Sequence, residues 1–328
     1  MAVQKVLLIG DDPFGNLDTL GPYRYSLGDH AAAIRRNSDL QLSAFFAPAP
    51  SLLEKARNDW HVPAVGEFID ETDLPKDINI AVLYAAPQRR AELVQLLHGV
   101  STILVETPCG LGVADSEAFA DLCSTNLLTA AVNGAWRAEP LIQDLIETGV
   151  ENLIGSVSAA TGVYGFGLWD RGVMWIDLIS QLLGPISMIQ ALEDARHIDQ
   201  PAVPGDQAVS FVMTADLEHQ FAQVLVTAIA ATNAAVPSYL ELIGTTGRLH
   251  LTLHHEGTEL LHWRADQEST ATRGDHGPAL DSLYTNIQDV AETTQSPLFP
   301  IAEAVEIERL IEAILESADL GGDRYHCR

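Results

Sequence analysis

Five short, largely apolar runs recur through the first 135 residues, each separated from the next by a segment of helical length. They are Lys5–Ile9 (KVLLI), Leu40–Phe46 (LQLSAFF), Ile78–Tyr84 (INIAVLY), Thr102–Val105 (TILV) and Leu127–Val132 (LLTAAV). A run without polar alternation is the mark of a strand buried on both faces. Strands of this kind alternating with helices specify a doubly wound parallel sheet. The helices are expected at about Gly28–Arg36, 51–58, 88–98, 115–124 and 138–148. Ligands of such sheets sit beyond the carboxyl ends of the strands. That rule gathers Gly10–Gly15, Tyr84–Pro87 and Glu106–Cys109 on one rim.

After Gly149 the pattern changes. Strand-like runs follow at 154–161, 186–193, 207–215, 219–230, 238–243 and 248–253, separated by turns such as Gly205-Asp206 and Gly244-Thr245-Thr246-Gly247. Alternation of apolar and polar residues implies an open, mainly antiparallel sheet, hence an α+β second half. Helices at 279–293 and 301–318 close the chain. The expected division is 1–135 for a dinucleotide-binding-type domain and 136–328 for an α+β substrate and dimerisation domain, the last helices packing back on the first. The alternating run Phe221–Ile229 suits a surface shared between copies of the chain.

Charge narrows the partners. The chain carries 45 acidic against 18 basic residues, a net charge of −27, with Lys5, Lys55 and Lys76 its only lysines. Nucleic acid is excluded, because phosphate neutralisation needs Lys and Arg, and so is an anionic membrane surface. No apolar run approaches the roughly 18–20 residues of a membrane span. The N-terminus enters a strand at once without a signal-peptide layout, which points to the cytoplasm. Cys109, Cys123 and Cys327 form no CxxC pair, so neither a disulfide framework nor a zinc site is expected. His254 and His255 are adjacent, and neighbours on a strand point to opposite faces. With His250 and His262 they are read as sheet-edge surface, and no metal is expected.

Two stretches carry candidate chemistry. The first strand ends in Gly10-Asp11-Asp12-Pro13-Phe14-Gly15. Gly10 and Gly15 match the first and third positions of a GxGxxG phosphate-binding turn. Asp12 stands at the second, where a side chain is bulky and a carboxylate repels phosphate. A longer segment then leads to the helix, so the turn carries an insertion. Ala47-Pro48 follows the second strand, where nicotinamide sites often place an acid on the ribose. The second stretch is Gly165–Gly184, GFGLWDRGVMWIDLISQLLG. Asp170, Met174 and Asp177 are spaced i, i+4, i+7 and share one helix face. A buried carboxylate costs several kcal/mol unless paired, so the two acids suggest the wall of a polar pocket. The alternative makes Asp170 a helix cap and puts Asp177 on the solvated side. As a general acid or base Asp177 would draw on a pKa raised by an apolar pocket; otherwise it makes a structural hydrogen bond. Tyr164 is either a phenolic proton donor or a core tyrosine. Trp169 and Trp175 stack on a sugar or pack the helix. Arg137 grips a substrate carboxylate or forms a structural ion pair. Cys109, with no histidine near it in sequence, is read as structural.

Four segments in this order resemble the Gfo/Idh/MocA family of nicotinamide-dependent oxidoreductases (glucose–fructose oxidoreductase, inositol dehydrogenase and relatives). ILVETPCGLGVADSEAF is similar to that family's strand–EKP–helix segment, and GFGLWDRGVMWID to its D-x-G-x-H-x-x-D segment. YLELIGTTGRLHL resembles its strand pair around a GTxG turn, and SPLFPIAEAVEIERLIEAILESA its C-terminal helix. The resemblance covers nearly the whole chain. It implies NAD or NADP held by Gly10, Asp12, Phe14, Gly15, Ala86, Pro87, Glu106 and Pro108. It further implies chemistry at Asp177, Asp170, Tyr164 and Thr107, a small polar substrate met by Arg137, Trp169 and Met174, and homodimers or larger oligomers through the second sheet. The family's lysine is Thr107 here and its histidine is Met174, neither of which gains or loses a proton near neutral pH. Three functions follow as expectations: hydride transfer between NAD(P) and a sugar, cyclitol or similar molecule; a lyase, isomerase or cyclase on the same scaffold; or a silent ligand-binding member.

Overall fold

The structure, a computed structural model, describes residues 3–10, 23, 25–67, 75, 77–199, 201, 203–217, 220–230, 238–254, 257–264, 269–293 and 295–327. The chain forms two compact units. The first comprises Met1–Leu17, Tyr25–Ala135 and Leu280–Val305, and the second Asp18–Arg24, Trp136–Ala279 and Glu306–Arg328.

In the first unit the apolar runs become β1 (Gln4–Gly10), β2 (Leu40–Phe46), β4 (Ile80–Tyr84), β5 (Thr102–Val105) and β6 (Thr129–Val132), with a short β3 (Ala64–Gly66). They pair in parallel in the order β3-β2-β1-β4-β5-β6, the doubly wound order that reverses between β1 and β4. Every residue of β4 and β5 is buried, which is why these stretches lack polar alternation. The connecting helices are α1 (Leu27–Arg36), α2 (Pro50–Asn58), α3 (Pro87–Leu96) and α4 (Val113–Thr125). Proline at the first position of α2 and α3 pre-sets the helical φ where an N–H has no partner to lose. The free edge of β6 is closed by a later segment, with Val132 N–H donating to Phe299 C=O at 2.9 Å.

The second unit holds α5 (Pro140–Thr148), α6 (Val150–Ile154), β7 (Val157–Gly165), α7 (Val173–Leu183) and β8 (Ile186–Ala191). A two-stranded ribbon pairs β9 (Arg196–His197) with β10 (Gln207–Ala208). Then come β11 (Phe211–Leu217), β12 (Gln220–Ile229), β13 (Ser238–Gly244), β14 (Gly247–Leu253), β15 (Gly257–Arg264) and β16 (Thr270–Asp275). The chain continues through α8 (His276–Glu292) and α9 (Ile301–Asp319) to β17 (Tyr325–His326). The nine-stranded sheet runs β16-β15-β14-β13-β7-β12-β11-β8-β17, antiparallel except where β12 lies parallel to β7. On β12, Ala222, Val224, Val226 and Ala228 face inward while Phe221 and Leu225 stay 72% and 42% exposed. The same solvent face carries Tyr239 stacked on His250 and Arg248 over the Trp263 ring.

The structure corrects several expected elements. The strand expected at 154–161 begins at Val157, because Val150–Ile154 forms a helical turn between Gly149 and Gly155, both at positive φ. The strand expected at 207–215 is broken into β10 and β11. The strands β15 and β16 have no counterpart in the sequence reading. Every residue of β16 except Gly274 is exposed, so this edge strand has no apolar pattern to show.

Candidate functional site

At the carboxyl rim of the first sheet, β1 ends in Gly10, against which the first residue of α1 packs. A Cβ on Gly10 would lie 2.5 Å from Leu27 Cδ1, so a larger residue here would have to push the end of the Leu27 side chain aside. Asp12, Phe14 and Gly15, expected to hold the cofactor, lie outside the described residues. Ser26 caps α1 in a capping box, its hydroxyl accepting from Asp29 N–H and the Asp29 carboxylate accepting from Ser26 N–H at 2.8 Å. The terminus of α1 thus already holds a negative charge.

The next two rim turns are locked together by Arg90, fully buried on α3. Its Nε donates to Ala85 C=O at 2.9 Å, and its Nη1 to Pro108 C=O at 2.6 Å and Cys109 C=O at 3.1 Å. Ala86, Pro87, Thr107 and Pro108 are therefore set by one cation that the sequence reading missed. Thr107 is 3% exposed and joins Pro108 through a cis peptide bond. Glu106, at the end of β5, is 3% exposed, and Asn133 Nδ2 donates to its Oε1 at 2.8 Å. The Nε2 of His30, from α1, lies 3.5 Å from the same oxygen. His30 Nδ1 meets the Tyr284 hydroxyl at 2.8 Å, and its ring makes edge contacts with Tyr25, Tyr84 and Tyr284. Burial first, then the Glu106 charge, holds the Tyr284 phenol well above its ordinary range. Asn133 Oδ1 is buried and accepts from no donor among the described residues. Since Nδ2 must face a carboxylate, the orientation of this amide is fixed. An acceptor buried without a partner costs about 1–3 kcal/mol, and a ligand N–H would relieve it.

The second unit gathers Asp170, Met174, Asp177, Arg137, Trp169 and Tyr164, and gives most of them partners. Asp177 is fully buried on α7. Its Oδ2 accepts from Trp136 Nε1 at 2.6 Å and Arg137 Nε at 2.9 Å, and its Oδ1 from Arg137 Nη2 at 2.5 Å. The two residues assigned separately to proton transfer and substrate binding are thus each other's ion pair, the structural alternative for both. Tyr164 is fully buried, donates to Val209 C=O at 2.8 Å and accepts from Val209 N–H at 3.2 Å. Desolvation pushes its phenol far up, which places it with the core tyrosines. Met174 and Trp175 are buried in the helix packing, while Trp169 keeps partial exposure.

Asp170 does not lie on a regular helix face. Leu168–Gly172 forms a π-turn before α7, a device that recurs at functional sites. Asp170 is 4% exposed, with Oδ2 3.9 Å from Arg171 Nε. Its neighbour in space is Asp206, a residue sequence reasoning passed over as part of a turn. Asp206 Oδ1 accepts from Trp169 N–H at 3.0 Å and Gln207 N–H at 2.8 Å, and Oδ2 from Asp170 N–H at 2.9 Å. Desolvation and the Asp170 charge raise its carboxyl to about 7, against the opposing pull of these N–H groups.

Other features are structural. Cys109 and Cys123 are buried thiols, the latter pushed by burial to about 12. No group able to hold a metal ion is found among the described residues, and no described helix is long and apolar enough to cross a membrane. A cavity of about 450 Å³ near β15 and β16 is lined by His254, Thr258, Glu259, Arg273 and Asp275 and includes none of the residues assigned to cofactor, substrate or chemistry. Glu259 and Arg273 there form an exposed ion pair, which contributes little.

No family model and no curated protein matches the sequence. Solved structures do match. The aldose–aldose oxidoreductase of Caulobacter crescentus complexed with glycerol superposes with a TM-score of 0.79 at 14% identity, covering 99% of each chain. An oxidoreductase from Agrobacterium radiobacter in complex with NAD+, L-tartaric acid and magnesium gives 0.76 at 14% identity over 99% of this chain and 98% of that one. The inositol dehydrogenase homologue of Azotobacter vinelandii, complexed with NADH and myo-inositol, gives 0.74 at 14% identity over 99% and 98%. A parallel six-stranded sheet joined to a mixed, mostly antiparallel one is therefore the two-domain oxidoreductase fold.

Proposed function

We propose that the chain is an oxidoreductase of Gfo/Idh/MocA type that moves a hydride between NAD or NADP and a small polar substrate such as a sugar or cyclitol. The observation that carries this is the carboxyl rim of the first sheet, where side-chain-free Gly10, the Arg90-clamped turns and the Glu106–Asn133 pair converge. Two features there favour a dinucleotide, against the Asp29 carboxylate at the α1 terminus. The first turn of α3 bears no acid, and Asn133 Oδ1 offers an acceptor without a donor among the described residues. Gly10, Ala86, Pro87, Glu106 and Pro108 would hold the cofactor, which supplies the hydride acceptor or donor. Neither Thr107 nor Met174 has a group that gains or loses a proton near neutral pH. Asp177 accepts three donors from Trp136 and Arg137; Asp170, carried on the irregular π-turn with Arg171 beside it, would accept the proton of a substrate hydroxyl, with Trp169 as an apolar wall. The solvent face of the nine-stranded sheet, around Phe221 and Leu225, would serve a homodimer, and a cytoplasmic setting suits the free cysteines.

A second reading, a ligand-binding or non-redox protein without nicotinamide, draws on the Asp29 carboxylate at the α1 terminus, where a Rossmann fold holds pyrophosphate. Turnover separates the two. Purified protein given NAD+ or NADP+ and a panel of polyols, including myo-inositol, should form reduced nicotinamide. Asp170→Asn should lower kcat by about 100-fold or more while retaining NADH binding. An unchanged rate would remove Asp170 from the chemistry.

A further inference from the structure

The π-turn carrying Asp170 does not hold itself. The first N–H groups of any helix lack intrahelical partners, and here the cap residue, Gly167, offers no side chain to meet them. The space its side chain would fill is taken by the Asp206 carboxylate. That carboxylate reaches in from the ribbon end at Asp206–Gln207 and collects the N–H groups of Trp169 and Asp170 together with its own neighbour's. We propose that Asp206 is a positioning residue for Asp170, fixing the π-turn from outside and so setting where the Asp170 side chain lies. The inference rests on the reading of Asp170 as the group that meets the substrate.

The attachment continues behind Asp206. Val209, three residues on, is gripped at both its N–H and its C=O by the Tyr164 hydroxyl. The buried tyrosine therefore anchors the 206–209 segment to β7, and the segment anchors the π-turn. A hydroxyl fully used in this way has a positioning task in place of the proton transfer expected of it. The turn itself is irregular, with both Arg171 N–H and Gly172 N–H donating to Gly167 C=O at 2.9 Å. Two bonds from outside, at Trp169 and Asp170, suit a turn in which one carbonyl takes two N–H groups before Val173 N–H resumes the ladder at Leu168 C=O.

Asp206 faces the Asp170 charge on the π-turn and the Tyr164 phenol of β7; Arg171 lies beside Asp170, and the Glu193–Arg196 pair acts on Tyr164. His197 stands opposite Gln207 across the ribbon, exposed. Because burial holds the Asp206 carboxyl at about 7 in the closed turn, the closed turn binds a proton more tightly than an open one in which the carboxyl is solvated. Opening therefore becomes easier as pH rises towards 7, and levels off above it.

Amide hydrogen exchange on the full chain reads this directly, normalised to the intrinsic rate at each pH. In the wild type, protection of the Trp169 and Asp170 amides should fall as pH is raised from about 5 to 7, while β7 and the rest of α7 show no such trend. Asp206→Asn should cut protection of these two amides about tenfold at the acid end and make it flat with pH. Equal protection in the variant and the wild type would overturn the assignment. Should the variant not fold, the wild-type profile decides alone: a local fall supports the proposal, and a flat profile overturns it. No cofactor enters this experiment, so a wild type that fails to bind NADH would sink the oxidoreductase reading separately.

Discussion

Asp177 shows how burial decides a residue's task. Its two oxygens accept three donors from Trp136 and Arg137, an arrangement that holds a carboxylate still. Breaking a buried pair by removing one partner leaves the other charge uncompensated, at about 3–5 kcal/mol. Arg137→Ala is expected to lower the unfolding free energy by that amount in urea denaturation; a loss below about 1 kcal/mol would mean the pair is solvated. Asp206 is the opposite case. Its folded-state pKa is raised, to about 7 from an ordinary 3.8. Its contribution to stability is therefore complete below about pH 4 and lost as pH rises through 7. The melting temperature of the wild type is expected to fall relative to Asp206→Asn across that window and to run parallel to it above; parallel curves throughout would contradict the raised pKa.

The elements around the rim are tied by single side chains. Arg90 joins the β4–α3 and β5–α4 turns through three carbonyls, and Arg90→Met leaves those acceptors dry. A loss of about 2–4 kcal/mol is expected, together with weaker NADH binding; unaltered binding would show that the clamp is remote from the cofactor. At the α1 terminus the Asp29 carboxylate occupies ground that a pyrophosphate uses. Asp29→Ser keeps a small polar residue and removes the charge, so NADH affinity is expected to rise severalfold if the phosphates sit there. The parallel sheet was legible because strands buried on both faces show as largely apolar runs. Polar β16 was not, since an exposed edge has no such pattern. The site was less legible still. Asp206 meets Trp169 and Asp170 across 37 and 36 residues, and His30 meets Tyr284 across 254, separations at which spacing carries no signal. The retained acids of the D-x-G-x-H-x-x-D-like segment were visible, but whether each faces ligand or core was not, because Arg137 lies 40 residues from its partner.

For the whole molecule, a net charge of −27 on 328 residues sets a standing self-repulsion. Salt screens it over about 10 Å at 0.1 M and about 3 Å at 1 M, so the melting temperature is expected to climb steadily with potassium chloride. The exposed apolar residues on β12 invite a second copy of the chain, and Phe221→Glu is expected to shift a dimer to monomer in sedimentation. On the proposed function, the rim of the first sheet holds a nicotinamide dinucleotide. Titrating the wild-type protein with NADH and with NADPH, following nicotinamide fluorescence, tests it most directly. Saturable enhancement with a Kd at or below about 100 μM (about −5.5 kcal/mol), weakened in Asn133→Leu, is the expected result. No response to either cofactor at millimolar concentration would contradict the account and leave a fold of oxidoreductase type put to another use.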